Sequence, residues 1–113
     1  MKTYPDLVRE AKARIPEVSA ADGMRQQREP GTVIIDCREP NETALGTIAG
    51  SVVIPRGVLE QNIERVASRE RKVIIYCASG HRSALAADVL RERGYQDVAS
   101  LAGGFRAWVA AGG

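Results

Sequence analysis

The chain has 113 residues, which is the length of one domain and is enough to bury a hydrophobic core of its own. Hydrophobic residues make up 44% and charged residues 27% of it, a globular composition that excludes disordered, collagen-like and coiled-coil proteins. The net charge of +2 is too close to neutral to indicate a nucleic-acid partner, and no apolar run approaches the roughly 20 residues of a membrane span, so we expect neither partner.

The first predicted element is a helix, because Leu7, Val8, Ala11 and Ile15 fall on one helical face. This segment carries charges throughout and lacks the apolar stretch of a secretory signal. We therefore expect residues 1–16 to form an N-terminal helical extension, which packs on the surface of a domain covering residues 17–111.

Short β-branched runs predict the strands of a sheet. The clearest runs are continuous rather than alternating, which is typical of parallel strands covered on both faces. They occupy residues 33–37, 52–55 and 73–77. Residues 97–101 form a weaker run, and residues 17–18 are a candidate for a short edge strand.

Helical patterns separate these runs. Ser19 is a candidate N-cap for a helix over residues 20–28, and Gly94 is a candidate C-cap for a helix over residues 83–93. Weaker patterns predict three further helices, over residues 40–45, 58–66 and 105–109. Strands that alternate with helices predict the α/β class, with a mainly parallel central sheet of about five strands flanked by helices.

The clearest chemical signal is the stretch from Cys77 to Ser83, which lies where an apolar strand ends and an amphipathic helix begins. A short loop there can turn its backbone N–H groups inward, and the following helix adds the partial positive charge of its N-terminus. Such surroundings lower the pKa of a thiol below about 8.5 and give a reactive thiolate. We therefore predict a nucleophilic Cys77 and a binding loop of Ala78, Ser79, Gly80, His81, Arg82 and Ser83.

Several residues of this loop have two explanations. Gly80 supplies backbone freedom, and Arg82 is a permanent cation that either holds an anionic ligand or closes the loop against a carboxylate. An exposed, mostly neutral His81 is favoured over a cation for the ligand, because the ordinary histidine pKa is about 6.5. A lone cysteine that ends a core strand is most often a packing residue, but the glycine, arginine and serine that follow favour chemistry at Cys77.

Four segments resemble motifs of the rhodanese family of sulfurtransferases, in the order that the family has them. The loop resembles Cys-x-x-Gly-x-Arg-Ser, and residues 36–40 resemble Asp-x-Arg-Glu-Pro. Residues 46–55 resemble Gly-His-Ile-Pro-Gly-Ala-x-x-Ile-Pro, and residues 101–108 resemble Leu-x-Gly-Gly-x-x-x-Trp. Thr47 and Ala49 depart from the third motif, so we expect altered packing there. The resemblance covers residues 19–110 and implies a single-domain, three-layer rhodanese-like fold.

The resemblance implies an enzyme that works in two half-reactions. Cys77 takes a sulfane sulfur from a small donor, such as thiosulfate or a persulfide, and becomes a persulfide itself. A thiol or a partner protein then removes this sulfur, as cyanide does in the usual assay. Such covalent catalysis needs anion stabilisation, which the loop amides supply. The resemblance implies no metal and no organic cofactor.

Two residues of the second motif receive supporting roles, and the cysteine between them is interpreted separately. Asp36 and Arg38 share a strand face, and the resemblance implies that they form an ion pair that supports the loop. Attraction of anions is a second, less favoured role for Arg38. Cys37 points to the opposite face and is expected to be a buried packing residue. The alternative is a resolving thiol for Cys77, which requires Cα atoms within about 7 Å of each other and Cβ vectors that face each other.

Other functions compete with this interpretation. Cysteine phosphatases have five residues between cysteine and arginine, whereas four separate Cys77 from Arg82, and the smaller ring suits sulfur better than phosphate. A non-catalytic interaction or sulfur-binding module is the main alternative, although inactive family members usually lack the loop cysteine. A metal site of Cys37, Cys77 and His81 falls short of the four ligands of structural zinc. Two cysteines are also too few for a disulfide framework, so we expect a reducing, cytoplasmic setting.

Overall fold

A computed structural model describes all residues, 1–113, as five strands and six α-helices. The strands are β1 (Glu17–Val18), β2 (Val33–Asp36), β3 (Val52–Val53), β4 (Lys72–Tyr76) and β5 (Asp97–Leu101). The helices are α1 (Tyr4–Arg14), α2 (Ala20–Gln27), α3 (Pro40–Thr43), α4 (Leu59–Asn62), α5 (His81–Glu92) and α6 (Gly104–Ala110). Two short 3-10 turns, Arg56–Val58 and Ile63–Arg65, flank α4. None of the helices is long and apolar enough to cross a membrane.

All strands of the sheet are parallel, and their order is β1-β5-β4-β2-β3. The central strand β4 pairs with β2 through Ile34 opposite Ile74, and with β5 through Ile74 opposite Ala99. The predicted α/β class and parallel five-stranded sheet are therefore confirmed. Because the strands are parallel, their carboxyl ends lie at one edge of the sheet, where ligands of such folds bind.

Alternate strand residues face two different layers of helices. One buried cluster joins a face of β2 and β4 to α1, α4 and α5, through residues that include Ile35, Ile75, Leu59, Ala87 and Leu90. The opposite cluster joins the other face to α6, through Ile34, Ile74, Tyr76, Leu101 and Trp108. Met24 of α2 packs against this second cluster. The fold thus has three layers, and β4 is covered on both faces, which explains its continuous apolar sequence.

Helix α1 packs against α5. Val8, Ala11 and Ile15 are buried, but Leu7 is 43% exposed, so the prediction that Leu7 belongs to the packed face is wrong. Arg14 donates three hydrogen bonds to Asp88 of α5, from Nη2 to Oδ2 at 2.7 Å and from Nε to Oδ1 and Oδ2 at 3.0 and 3.1 Å. This pair fixes the helix to the domain, while the division of the chain at residue 16 stays a prediction.

Several element boundaries differ from the predicted ones. Strand β3 ends at Val53, two residues before the predicted bound, although the Ile54 and Arg56 N–H groups still donate to the Asp36 and Cys37 carbonyls at 2.9 and 3.0 Å. The predicted helix over 58–66 is a single α-turn between two 3-10 turns. Helix α5 begins at His81 rather than at Ser83, since Gly80 has a φ of +99° and turns the chain directly into the helix. His81 is therefore the first helical residue and not a loop residue.

Candidate active site

The loop after β4 surrounds the sulfur of Cys77 with hydrogen-bond donors. The Gly80 N–H donates to Sγ at 3.1 Å, and the Ser83 N–H donates to it at 3.4 Å. The Ser83 hydroxyl lies 3.4 Å from the same sulfur and 2.8 Å from the hydroxyl of Ser100 on β5. Cys77 itself is only 1% exposed. These contacts are the inward-facing ring that the sequence predicts for this loop.

This environment favours the thiolate form of Cys77. The thiol of Cys37, the hydroxyl and N–H of Ser83 and the N–H of Ser79 together lower the pKa of Cys77 to about 4, although burial opposes them. The effect on Cys37 is the reverse, because its neighbour Cys77 and its burial both raise the pKa of the Cys37 thiol. At neutral pH, Cys77 is therefore an anion and Cys37 a protonated donor beside it.

The first turn of helix α6 donates hydrogen bonds to the backbone of the loop. The Phe105 N–H donates to the Cys77 carbonyl at 2.8 Å, and the Arg106 N–H donates to the Ala78 carbonyl at 3.2 Å. Gly104 allows this approach: its φ is +60°, and a Cβ there would collide with the Cys77 carbonyl oxygen and lie 2.7 Å from the Ala78 carbonyl carbon. Glycine is thus required where the helix begins against the loop.

Arg82 closes the loop against a carboxylate. Its Nη1 and Nη2 donate to the two oxygens of Glu42 on α3, at 2.7 and 2.9 Å. This bidentate pair lowers the pKa of Glu42 to about 2. The guanidinium of Arg82 is therefore already occupied, and of its two predicted roles the geometry favours loop closure over ligand binding.

Asp36 and Arg38 form a buried ion pair next to the loop. The Arg38 Nη2 donates to Asp36 Oδ2 at 2.8 Å and to the Gly46 carbonyl at 2.6 Å. The guanidinium also lies 4.4 Å from the centre of the Phe105 ring. Arg38 is 5% exposed, so it joins the end of β2 to α6 and to the turn at Gly46 rather than facing solvent.

The segment that departs from the third motif is held by its backbone. The Tyr76 hydroxyl accepts a hydrogen bond from the Ile48 N–H at 2.9 Å, and Ile48 is buried. The Gln27 side chain donates to the Ala49 carbonyl at 2.6 Å. Because Thr47 and Ala49 are themselves exposed, the segment keeps its anchors without the histidine and proline of the motif.

The structure brings most of the predicted residues together and adds others. His81 is exposed at the start of α5, lines a groove shared with Tyr4 and Lys12, and makes no hydrogen bond to the sulfur. Sequence reasoning assigned no role in the site to three contributors, Glu42, Ser100 and Gly104. Glu42 lies two residues beyond the second motif, and Ser100 is a hydroxyl residue within an apolar strand, so the sequence around each indicates a role in the site only weakly. Gly104 belongs to the Gly-Gly pair of the fourth motif.

Comparison with known proteins agrees with this geometry. The family profile of the Rhodanese-like domain matches residues 19–111. The chain is 37% identical over 95 residues to the thiosulfate sulfurtransferase GlpE of Stutzerimonas stutzeri, covering 84% of this chain and 83% of that one. It is also 37% identical over 81 residues to GlpE of Pseudomonas fluorescens, covering 72% and 73%.

Solved structures are similar over most of the chain. A protein of unknown function from Rhodopseudomonas palustris, named as a possible tyrosine phosphatase, is 35% identical with a TM-score of 0.89 and covers 100% of this chain and 93% of its own. The human single-domain sulfurtransferase TSTD1 is 25% identical with a TM-score of 0.77, covering 87% and 98%. The profile match and the sequence relatives show that this chain belongs to the rhodanese-like domain family, whose members include single-domain sulfurtransferases.

Proposed function

We propose that this protein is a sulfurtransferase that carries a sulfane sulfur on Cys77, from a small donor such as thiosulfate to a thiol or protein acceptor. The observation that carries this proposal is the ring of donors around the Cys77 sulfur, from Gly80 and Ser83. Relatives named thiosulfate sulfurtransferase support the same reaction class. A reducing compartment, such as the cytoplasm, suits a reaction that starts from a free thiolate.

The first half-reaction forms a persulfide. The Cys77 thiolate attacks the outer sulfur of thiosulfate, the bond between the two sulfurs of the donor breaks, and sulfite leaves with its electron pair. The negative charge then lies on the outer sulfur of the persulfide. The N–H groups of Gly80 and Ser83 are positioned to stabilise the anion before and after this transfer.

The second half-reaction returns the enzyme to its thiolate. An acceptor thiolate, or cyanide in an assay, attacks the outer sulfur, and Cys77 leaves as the thiolate. A thiol pKa lowered to about 4 makes Cys77 a good leaving group as well as an anion at neutral pH. The two half-reactions therefore use the same property of the site, and the kinetics are expected to be ping-pong.

A groove of about 300 Å³ on the outer side of the loop offers an approach for the donor. It is lined by Ala78, Arg38, Glu42, Leu45, Phe105 and Arg106. Arg38 is paired with Asp36, whereas Arg106 is exposed and forms no ion pair. An anionic donor such as thiosulfate fits a groove whose free charge is positive.

The loop disfavours phosphate chemistry. A phosphoryl group needs a cysteine loop with donors for three oxygens, and the arginine of such a loop binds the phosphate. Here Arg82 is held by both oxygens of Glu42, and only four residues separate it from Cys77. We therefore expect no turnover of an aryl phosphate that depends on Cys77.

Intact-protein mass spectrometry after incubation with thiosulfate tests the proposal. We expect the wild type and Cys37→Ser to gain the mass of one sulfur and Cys77→Ser to gain nothing. In the wild type this gain is transient if the thiol of Cys37 removes the sulfur again. If none of the three proteins gains sulfur, the incubation is repeated with glutathione persulfide as donor. Absence of the adduct with both donors would leave a non-catalytic interaction module as the function.

A further inference from the structure

Cys37 is a buried thiol that takes no chemical step in the transfer of sulfur to an external acceptor. It is fully buried and lies in the same apolar cluster as Cys77. Strands β2 and β4 pair in register up to Asp36 opposite Tyr76, so the next residues of the two strands are Cys37 and Cys77. Because side chains alternate along a strand, both cysteines lie on the face opposite Tyr76. The two thiols are therefore neighbours on one face of the sheet.

The backbone holds the two cysteines at the spacing of adjacent strands. The Cys37 N–H donates to the Tyr76 carbonyl at 3.0 Å, and the Cys37 carbonyl accepts from the Arg56 N–H at 3.0 Å. Adjacent strands lie about 4.8 Å apart, within the Cα separation of about 4.4–6.8 Å that disulfides span. The strand spacing therefore meets the Cα condition for a bond between the two sulfurs.

The loop donors and Cys37 approach the reactive sulfur from different elements. Gly80 and Ser83 reach it from the loop and from α5, whereas Cys37 reaches it from the end of β2. In a persulfide, the loop donors can hold the outer sulfur while the inner sulfur stays beside Cys37. This arrangement presents the inner sulfur to a nucleophile and the outer sulfur to the groups that stabilise a leaving anion.

From this arrangement we infer that Cys37 is a resolving nucleophile, which attacks the persulfide of Cys77 and releases hydrosulfide when no external acceptor is present. The inference rests on the proposed function, because it requires the persulfide. It adds a second outcome to the reaction, in which the sulfane sulfur leaves as hydrosulfide and the enzyme stops as an internal disulfide.

The step balances without another reactant. The sulfur of Cys37 bonds to the inner sulfur of the Cys77 persulfide, and the bond between the inner and outer sulfurs breaks. The outer sulfur leaves with that electron pair and takes the proton of the Cys37 thiol, so that hydrosulfide forms. The sulfane sulfur is reduced and the two cysteines are oxidised to a disulfide. A dithiol, or two monothiols, then restores both cysteines.

The charges of the site make Cys37 a better nucleophile once the persulfide has formed. While Cys77 is a thiolate, its charge and the burial of Cys37 raise the pKa of the Cys37 thiol and keep it protonated. In the persulfide, the negative charge moves outward by about 2 Å, one sulfur–sulfur bond. Ionisation of Cys37 then costs less, so Cys37 attacks more readily in the loaded enzyme than in the resting enzyme, whose two cysteines are not bonded to each other.

The test tracks the loaded protein over time without an acceptor. Wild type and Cys37→Ser are loaded with thiosulfate under nitrogen, freed of excess donor, and monitored by intact mass and by free hydrosulfide. We expect the wild type to lose the added sulfur, to become two hydrogens lighter than the unloaded chain and to release one hydrosulfide per chain. Cys37→Ser is expected to keep its persulfide at least about tenfold longer than the wild type, because the hydroxyl of the new serine is not a nucleophile at neutral pH. Cys37→Ala serves as a second variant without the hydroxyl.

Equal persulfide lifetimes in wild type and Cys37→Ser, or a non-reducing digest of the loaded wild type without a linked peptide, would overturn the inference. A persulfide in Cys37→Ser together with a disulfide, and no persulfide, in the wild type would support the inference. Resolution by Cys37 would then be faster than loading of Cys77. Failure of both proteins to gain sulfur from thiosulfate and from glutathione persulfide would instead refute the proposed function, and the inference with it. Oxidation of unloaded wild type with diamide measures separately whether the two sulfurs can bond, and failure to form the disulfide also contradicts the inference.

Discussion

Cys37 and Cys77 end neighbouring strands at one edge of the sheet, and both are buried on the same face. The segments that come after the two cysteines differ. After Cys77, the N–H groups of Gly80 and Ser83 turn back to the sulfur. The difference between the two thiols therefore comes from the interaction of the cysteines with each other and from the donors of this loop.

After Cys37, the backbone donors are used elsewhere or are absent. The Arg38 N–H donates to Asp36 Oδ1 at 2.9 Å, and the Glu39 N–H donates to Glu42 Oε1 at 3.0 Å. Pro40 has no N–H at all. None of these groups donates to the Cys37 sulfur. The neighbouring Cys77 and burial raise the pKa of Cys37, while that of Cys77 is lowered. The loop after β4 and the neighbouring Cys37 therefore together make Cys77 the more acidic thiol.

Substitution of the two cysteines is expected to give the largest difference in activity. Cys77→Ser is expected to lower kcat/KM for thiosulfate and cyanide by at least about a thousandfold, because the covalent route is lost. Cys37→Ser keeps the nucleophile and replaces one donor to its anion, the Cys37 thiol, by a hydroxyl, so it is expected to cost less than about tenfold with an external acceptor present. Steady-state assays of both variants check this order, and equal losses would contradict it.

Gly104→Ala tests the support of the reactive loop. We expect the free energy of unfolding to fall by about 3 kcal/mol, because the new Cβ meets the Cys77 and Ala78 carbonyls at a positive φ. Gly50→Ala is the matched control: its φ is +81°, but nothing lies within 4 Å of the added Cβ. Its expected cost is about 1 kcal/mol. Urea denaturation measures both, and equal losses would show that the contact with the loop is unimportant.

Ser83→Ala sharpens the comparison by removing one side-chain donor and leaving the amides. Its hydroxyl contacts Cys77 Sγ at 3.4 Å and Ser100 Oγ at 2.8 Å. A hydrogen bond to a charged group contributes about 1.5–3 kcal/mol, so we expect a higher pKa of Cys77 and a transfer rate lower by about tenfold or more. The exposed Ser68 gives the matched control, Ser68→Ala. An unchanged rate in Ser83→Ala would mean that the amides alone stabilise the anion.

Glu42→Gln tests the ion pair that closes the loop, and its expected effect is the smallest. The pKa of Glu42 is lowered from 4.5 to about 2 in the folded protein, so the pair stabilises the fold fully above pH 4.5. This contribution, about 1 kcal/mol for a partly exposed pair, is lost as the pH falls from 4.5 through 2. Urea unfolding of wild type and Glu42→Gln should therefore differ at neutral pH and converge in acid. A difference that persists below pH 2 would show that the carboxylate charge is not the cause.

Much of this arrangement is predictable from the sequence. Continuous apolar runs that end in Cys37 and Cys77 indicate parallel strands, and the glycine, arginine and serine after Cys77 indicate an anion-binding loop. The helix start at His81 is not predictable by pattern alone, because it depends on the positive φ of Gly80. The partners Glu42 and Ser100 are distant in sequence from the residues they bind, 40 positions from Arg82 and 17 from Ser83. Such contacts are set by strand order, which local periodicity does not encode.

The most direct measurement is a pH titration of the thiolate absorbance in the ultraviolet, on wild type, Cys37→Ser and Cys77→Ser. We predict one thiolate per wild-type chain at neutral pH, which disappears with a midpoint at about pH 4. Cys37→Ser should keep a thiolate at neutral pH with a midpoint somewhat above that of the wild type, because the thiol of Cys37 no longer stabilises the anion. Cys77→Ser should show none at neutral pH. A wild-type midpoint above pH 8, or a thiolate that survives in Cys77→Ser, would contradict the conclusion that the loop after β4 makes Cys77 the reactive sulfur.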